Sequence, residues 1–171
     1  MEKARKLKLY IGLFYLIFVG LFLYFFFSKF SLQEITSYEF IKNNRNYFFD
    51  LKQTNLYFIA VIFILFTIIW VLAAGFGSPI AIFGGFIFGK WIGTFLVVVG
   101  LSVGASLLYL FSNFFLKDLI KEKFLSKYGK LEEKFKKSEF IYLLIYRFIG
   151  GIPFAISNIL PSIFNVKLTN F

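Results

Sequence analysis

The 171-residue chain is 59% hydrophobic and 23% aromatic, with 28 Phe and only 16% charged residues, where soluble domains run to about 45–50% apolar and about 25% charged. That excludes a soluble enzyme of ordinary type and predicts an integral membrane protein. With no Cys and no His there is no disulfide, thiolate nucleophile, structural zinc site or imidazole base; no metal, cofactor or catalytic residue is expected, and the chain is not read as an enzyme.

The 19 basic residues outnumber 9 acidic ones, for a net charge of +10. They lie in short blocks between apolar spans, a pattern that suits anionic phospholipid headgroups and membrane orientation, and does not suit nucleic acid. In lipid, packing must come from close backbones and polar contacts, because the tails are as apolar as Leu.

Residues 1–30 read as an N-terminal transmembrane helix. Leu9 to Phe27 carry no charge, and 19 residues at 1.5 Å each reach about 28 Å, close to the roughly 30 Å apolar depth of a bilayer. Lys3, Arg5, Lys6 and Lys8 precede it and favour a cytoplasmic N-terminus. A cleaved signal would have a shorter apolar region and a small-residue cleavage site, whereas Phe25, Phe26 and Phe27 run into Ser28 and Lys29 here. Residues 31–55 form a polar interfacial stretch. Ser31 and Glu34 make a capping-box pattern, with Leu32, Ile35, Tyr38 and Ile41 at helical spacing and an expected break at Asn43 and Asn44.

Residues 56–171 would be the membrane core, with 56–116 as a first repeat. Gln53 to Gly89 is uncharged and as one helix would run about 55 Å, so it must break. A span over 56–74 is expected to end at Gly75, Gly77, Ser78 and Pro79. Pro79 to Gly89 is too short to cross and is expected to dip in and turn back near Gly89 to Gly93, before a second span over 93–116. Such broken backbone is tolerated at membrane depth only where protein or a watery cavity satisfies it.

Residues 117–139 hold eight Lys and five acidic residues, with Ile120, Phe124, Tyr128, Leu131 and Phe135 at spacings of three and four. This predicts a Lys-rich amphipathic surface helix, kinked at Gly129. Its charge favours the cytoplasmic face, although three spans before it, starting from a cytoplasmic N-terminus, would place it outside. Residues 140–171 are an incomplete second repeat: Phe140 to Val166 is apolar except for Arg147 and contains Gly150, Gly151, Pro153, Asn158 and Pro161. Two internal prolines predict a second broken or re-entrant element. The predicted fold class is therefore all-α, a polytopic membrane protein with two broken helical hairpins in an inverted-repeat arrangement, a design that places its site at the repeat interface.

Pro79, Gly84, Gly85, Gly89 and Gly93, then Gly100, Gly104 and Tyr109, and later Arg147, Pro153, Phe154 and Asn158, resemble the pattern of the SNARE-associated Golgi protein family (VTT domain) of the DedA superfamily. The resemblance covers about residues 30–171 and implies two facing re-entrant hairpins and translocation of lipid or a lipid carrier. Departures from the family pattern are Gly150 where Pro is frequent, Ser162 where Gly is frequent, Asn113 where a basic residue is usual, and Ala105 where the DedA branch has an acid. With no Asp or Glu inside an apolar segment, proton coupling through an intramembrane carboxylate is not expected. The family usually continues beyond the position of Phe171, so a fragment or shortened member is expected.

The substrate-binding residues nominated are Arg147, Gly150, Gly151, Pro153, Asn158 and Lys90, with Pro79, Gly84, Gly85, Gly89, Gly93 and Pro161 shaping the hairpins. A guanidinium inside an apolar run marks a functional pathway and suits bidentate binding of phosphate; its rival role is to snorkel to the interface. Lys90 beside Trp91 would face the same cavity or anchor the interface, and Asn158 would bind a headgroup or bridge helices. The expected activity is translocation or scrambling of phospholipid or a lipid-linked phosphate. A small ion or solute transporter, or a structural partner-binding membrane protein, are the alternatives. The expected partners are membrane phospholipids, with a homo-oligomer allowed, and the expected location is the plasma (inner) membrane if the source is bacterial.

Overall fold

A computed structural model describes residues 2–29, 37–117, 136–149 and 151–171. The capping pattern at Ser31 and Glu34, residues 118–135 of the Lys-rich segment with Gly129, and Gly150 lie outside the described residues. Among the described residues every regular element is helical: α1 (Glu2–Lys29), α2 (Tyr38–Leu72), α3 (Gly77–Phe88), α4 (Lys90–Phe111), α5 (Glu139–Ile149) and α6 (Phe154–Ile159). A π-helical turn, Ser112–Leu116, continues α4, and a 3-10 turn, Leu160–Phe164, continues α6.

Among the described residues three stretches are long and apolar enough to cross a membrane: Lys6–Phe25, Asn55–Leu72 and Lys90–Phe115. They agree with the three spans expected from hydropathy. Large apolar side chains on all three are exposed, among them Phe14 and Ile17, Phe58 and Leu65, Phe95 and Val98. Water tolerates few contiguous apolar surfaces of that extent, and lipid welcomes them.

The chain divides into two compact units, Phe18–Gly104 and Met1–Ile17 with Ala105–Phe171. In the first unit, α2 runs straight through Asn43 and Asn44, where a break was expected, and leaves helical geometry at Asn55 (φ −161°, ψ 77°). An interior Asn costs a helix only about 0.7 kcal/mol, too little to end it against a long favourable run. At Asn55 the side chain does more: Oδ1 accepts the Phe58 N–H at 3.4 Å, the relation of an N-cap to the third helical residue. The uncharged span begins at this cap.

The span stops where the sequence required. Ala74 takes φ 60°, and the Trp70 indole N–H donates to the Phe76 carbonyl at 2.9 Å. Helix α3 is 12 residues, about 18 Å long, well short of a bilayer's apolar depth. It ends at Gly89, whose φ of 80° suits glycine. Helix α4 restarts at the next residue, so the turn is confined to Gly89, and Gly93 lies inside α4. Gly93 serves a different purpose from the turn expected of it. A Cβ there would lie 2.3 Å from the Gly84 carbonyl oxygen, so the backbones of α3 and α4 meet at this point. Gly100 and Gly104 similarly lie against Thr67 and Val71 of α2, while Gly85 faces open space. Phe63, Trp70, Ile80, Phe88, Leu96 and Val97 form the buried core of this unit.

In the second unit the core is Tyr109, Leu143 and Val166, with Phe171 packed against it. The last apolar segment is broken, as two prolines demanded. Helix α5 ends at Ile149, Gly151 turns the chain with φ 75°, Pro153 precedes α6, and Pro161 sits in the 3-10 turn. That turn packs against the π-helical turn. Ser162 Oγ donates to the Ile159 carbonyl at 2.7 Å, and the Ser112 and Ser162 hydroxyls share a hydrogen bond at 2.8 Å.

Candidate functional site

Arg147 lies in the last turn of α5, on a helix whose Leu143 faces the core while Phe148 and Ile149 are exposed. With Tyr146, Ile152, Phe154 and Ser157 it lines an open cleft of about 230 Å³. The cleft forms because the chain turns at Gly151 and restarts at Pro153, bringing α6 back beside the end of α5. Ser157 spends its hydroxyl on the Phe154 carbonyl at 2.8 Å, and the Tyr146 hydroxyl is buried with no hydrogen-bond partner among the described residues.

Arg147 is exposed as a residue, and its guanidinium stays protonated at any accessible pH. Among the described residues its hydrogen bond and ring contact are both to Phe171: the ring centroid is 4.7 Å from Cζ, and Nη2 donates to the main-chain oxygen at 3.3 Å. No Asp or Glu side chain among the described residues pairs with it. Glu139, the acid at the other end of α5, is occupied by the Lys167 N–H at 3.3 Å and the Asn170 side-chain N–H at 2.9 Å. The site is thus a cation with open donors in an apolar, Gly/Pro-broken setting, suited to an oxyanion. Among the described residues no group of acidic side chains is placed to hold a metal ion.

The other nominated residues are placed differently. Gly151 and Pro153 make the turn into α6 and do not line the cleft; Gly150 is outside the described residues. Asn158 is fully buried, and neither its side-chain oxygen nor its nitrogen has a hydrogen-bond partner among the described residues. Lys90 belongs to the Phe18–Gly104 unit, where its ammonium lies 5.2 Å from the centre of the exposed Trp91 ring, a geometry suited to an interfacial anchor. Tyr146, Ile152 and Ser157 were missed by the sequence reading, as was Phe171. Tyr146 and Arg147 are adjacent, so the neighbour of a nominated cation was the signal available. Phe171 gives no local signal, being 24 residues away in sequence.

Spanning helices, a short helix ended at Gly89, and a broken element around Arg147 define a polytopic α-helical membrane protein. Comparison with known protein families matches the VTT domain over residues 76–171. The chain belongs to this family, the SNARE-associated/DedA type, and is an integral membrane protein. No solved structure matches it.

Proposed function

We propose that the protein moves or scrambles phospholipid, or a lipid-linked phosphate, across the bilayer, with Arg147 receiving the phosphate and no covalent bond made or broken. In this reading α3 and the α5–α6 element dip into the membrane and return, and the acyl tails stay in lipid while the headgroup passes. The observation that carries it is a guanidinium without an Asp or Glu partner among the described residues, lining a cleft inside an apolar broken segment. A charge in such a place is costly, by about 2.5–3.5 kcal/mol at the centre of a membrane helix, unless function retains it. The cleft is open, which favours a lipid whose tails remain outside over a solute carried in an enclosed chamber.

The test is movement of labelled phospholipid in liposomes at matched protein incorporation. Arg147→Ala is expected to insert at least as well as the native chain and to lose lipid movement. Arg147→Lys keeps the charge without the planar fork and is expected to fall between. Native-rate movement by Arg147→Ala would refute the phosphate-receiving role and leave Arg147 as an interfacial anchor.

A further inference from the structure

The last seven residues make a strap whose contacts converge on the cation of the cleft. The strap starts at Asn165, which takes a left-handed conformation (φ 53°) and accepts a hydrogen bond from Lys117 Nζ at 2.9 Å. Val166 is buried, and its main-chain oxygen receives the hydroxyl of the buried Tyr109. Glu139 Oε2 then holds the Lys167 N–H and the Asn170 amide, and the Asn170 N–H closes a turn onto the Lys167 carbonyl at 2.9 Å. These ties deliver Phe171, whose ring stacks on Tyr109 with centroids 4.6 Å apart and planes at 22°. The same ring meets the Arg147 guanidinium at 4.7 Å.

We infer that Phe171 is a positioning residue for Arg147: it fixes the plane of the guanidinium so that an oxyanion in the cleft meets a preset fork. This rests on the phosphate-receiving reading of Arg147. A ring with the guanidinium carbon over it engages the charge through its π cloud. Among the described residues one donor is spent, on the Phe171 main-chain oxygen in a long bond of 3.3 Å, and the others stay open. A free arginine side chain must be ordered when it binds. Ordering one such side chain in advance strengthens binding by about two- to tenfold. The strap thereby links a distant residue, Glu139, to the cleft without touching it.

The test uses the full chain in maltoside micelles, with phenylglyoxal modification of Arg147 followed by peptide mass spectrometry, which separates it from Arg5 and Arg45. The probe is dodecyl phosphate, a phosphomonoester amphiphile. Phe171→Leu keeps apolar bulk and loses the π face; Phe171→Tyr keeps the face. In Phe171→Leu, Arg147 is expected to react faster than in the native chain without probe, and to need about two- to tenfold more dodecyl phosphate for half-protection. Phe171→Tyr is expected to return both readings to within about twofold of native. Unchanged reactivity and protection in Phe171→Leu would overturn the positioning role. Failure of dodecyl phosphate to protect the native chain would instead overturn the phosphate reading, while the probe-free rates still decide whether Phe171 holds the guanidinium. If Phe171→Leu loses helical circular dichroism, Asn170→Ala takes its place. It leaves the ring and removes Glu139's side-chain tie, so the same direction of change is expected, and native behaviour there would overturn the proposal.

Discussion

Two glycines of the same hairpin should respond to the same substitution with opposite signs. At Gly93 an added Cβ would stand 2.3 Å from the Gly84 carbonyl oxygen, 2.8 Å from its carbonyl carbon and 3.0 Å from Gly85 Cα. All three are backbone atoms, which cannot swing aside as a flexible side chain would. Reaching an ordinary contact of about 3.4 Å needs α3 and α4 to part by about 1.1 Å there, enough to loosen the packing of Phe88 and Val97 across the same hairpin. Overpacking of this kind costs about 1–3 kcal/mol, offset in part by the gain of about 0.8–1.0 kcal/mol from replacing a helical glycine by alanine. At Gly85 a Cβ meets nothing within 4 Å, so only that gain remains. Gly93→Ala is expected to be destabilised and Gly85→Ala to be neutral or stabilised by up to about 1 kcal/mol. The assay is loss of helical circular dichroism during SDS titration of the purified protein in mixed micelles. Gly93→Ala unfolding at the native SDS fraction, or earlier unfolding of Gly85→Ala than of Gly93→Ala, would refute the close approach of α3 and α4.

The fully buried Asn158, with both polar side-chain atoms unpartnered among the described residues, predicts that Asn158→Leu unfolds at equal or higher SDS, by up to about 1–3 kcal/mol. A marked loss of stability would mean that the amide is satisfied after all. Tyr109→Phe keeps the ring on Phe171 and removes the hydroxyl that serves the buried Val166 carbonyl; a loss of about 1–3 kcal/mol is expected in the same titration. Trp70→Phe removes the indole hydrogen bond that closes the turn at Phe76 and should cost about 0.5–1.5 kcal/mol, with native stability counting against that closure.

Hydropathy and length were sufficient for the membrane class and the three spans, because a bilayer imposes one number, about 30 Å of apolar depth, on any stretch that crosses it. The short α3 and the break after Arg147 came from equally local causes, since Gly89 and the prolines at 153 and 161 act on their own backbone. Local signals failed where the competing terms were small. Asn43 and Asn44 looked like a break, yet the weak helix penalty of asparagine yielded to the surrounding run, and the break went to Asn55, which can cap the apolar span after it.

Only tertiary structure decided which nominated residues share a site. Gly93 was read as part of a turn and is a contact point between two helices, a role that depends on the partner backbone of Gly84. Asn158 was nominated with Arg147 from proximity in sequence, but the six-residue α6 turns its amide into the interior and leaves Ser157 and Phe154 at the cleft. Phe171 came to Arg147 through a hydrogen bond at Glu139, another at Val166 and a ring stack on Tyr109. Each of those contacts joins residues 31 or more positions apart. No periodicity or spacing within a single segment encodes them, because their partners are chosen only when the folded backbone brings them together.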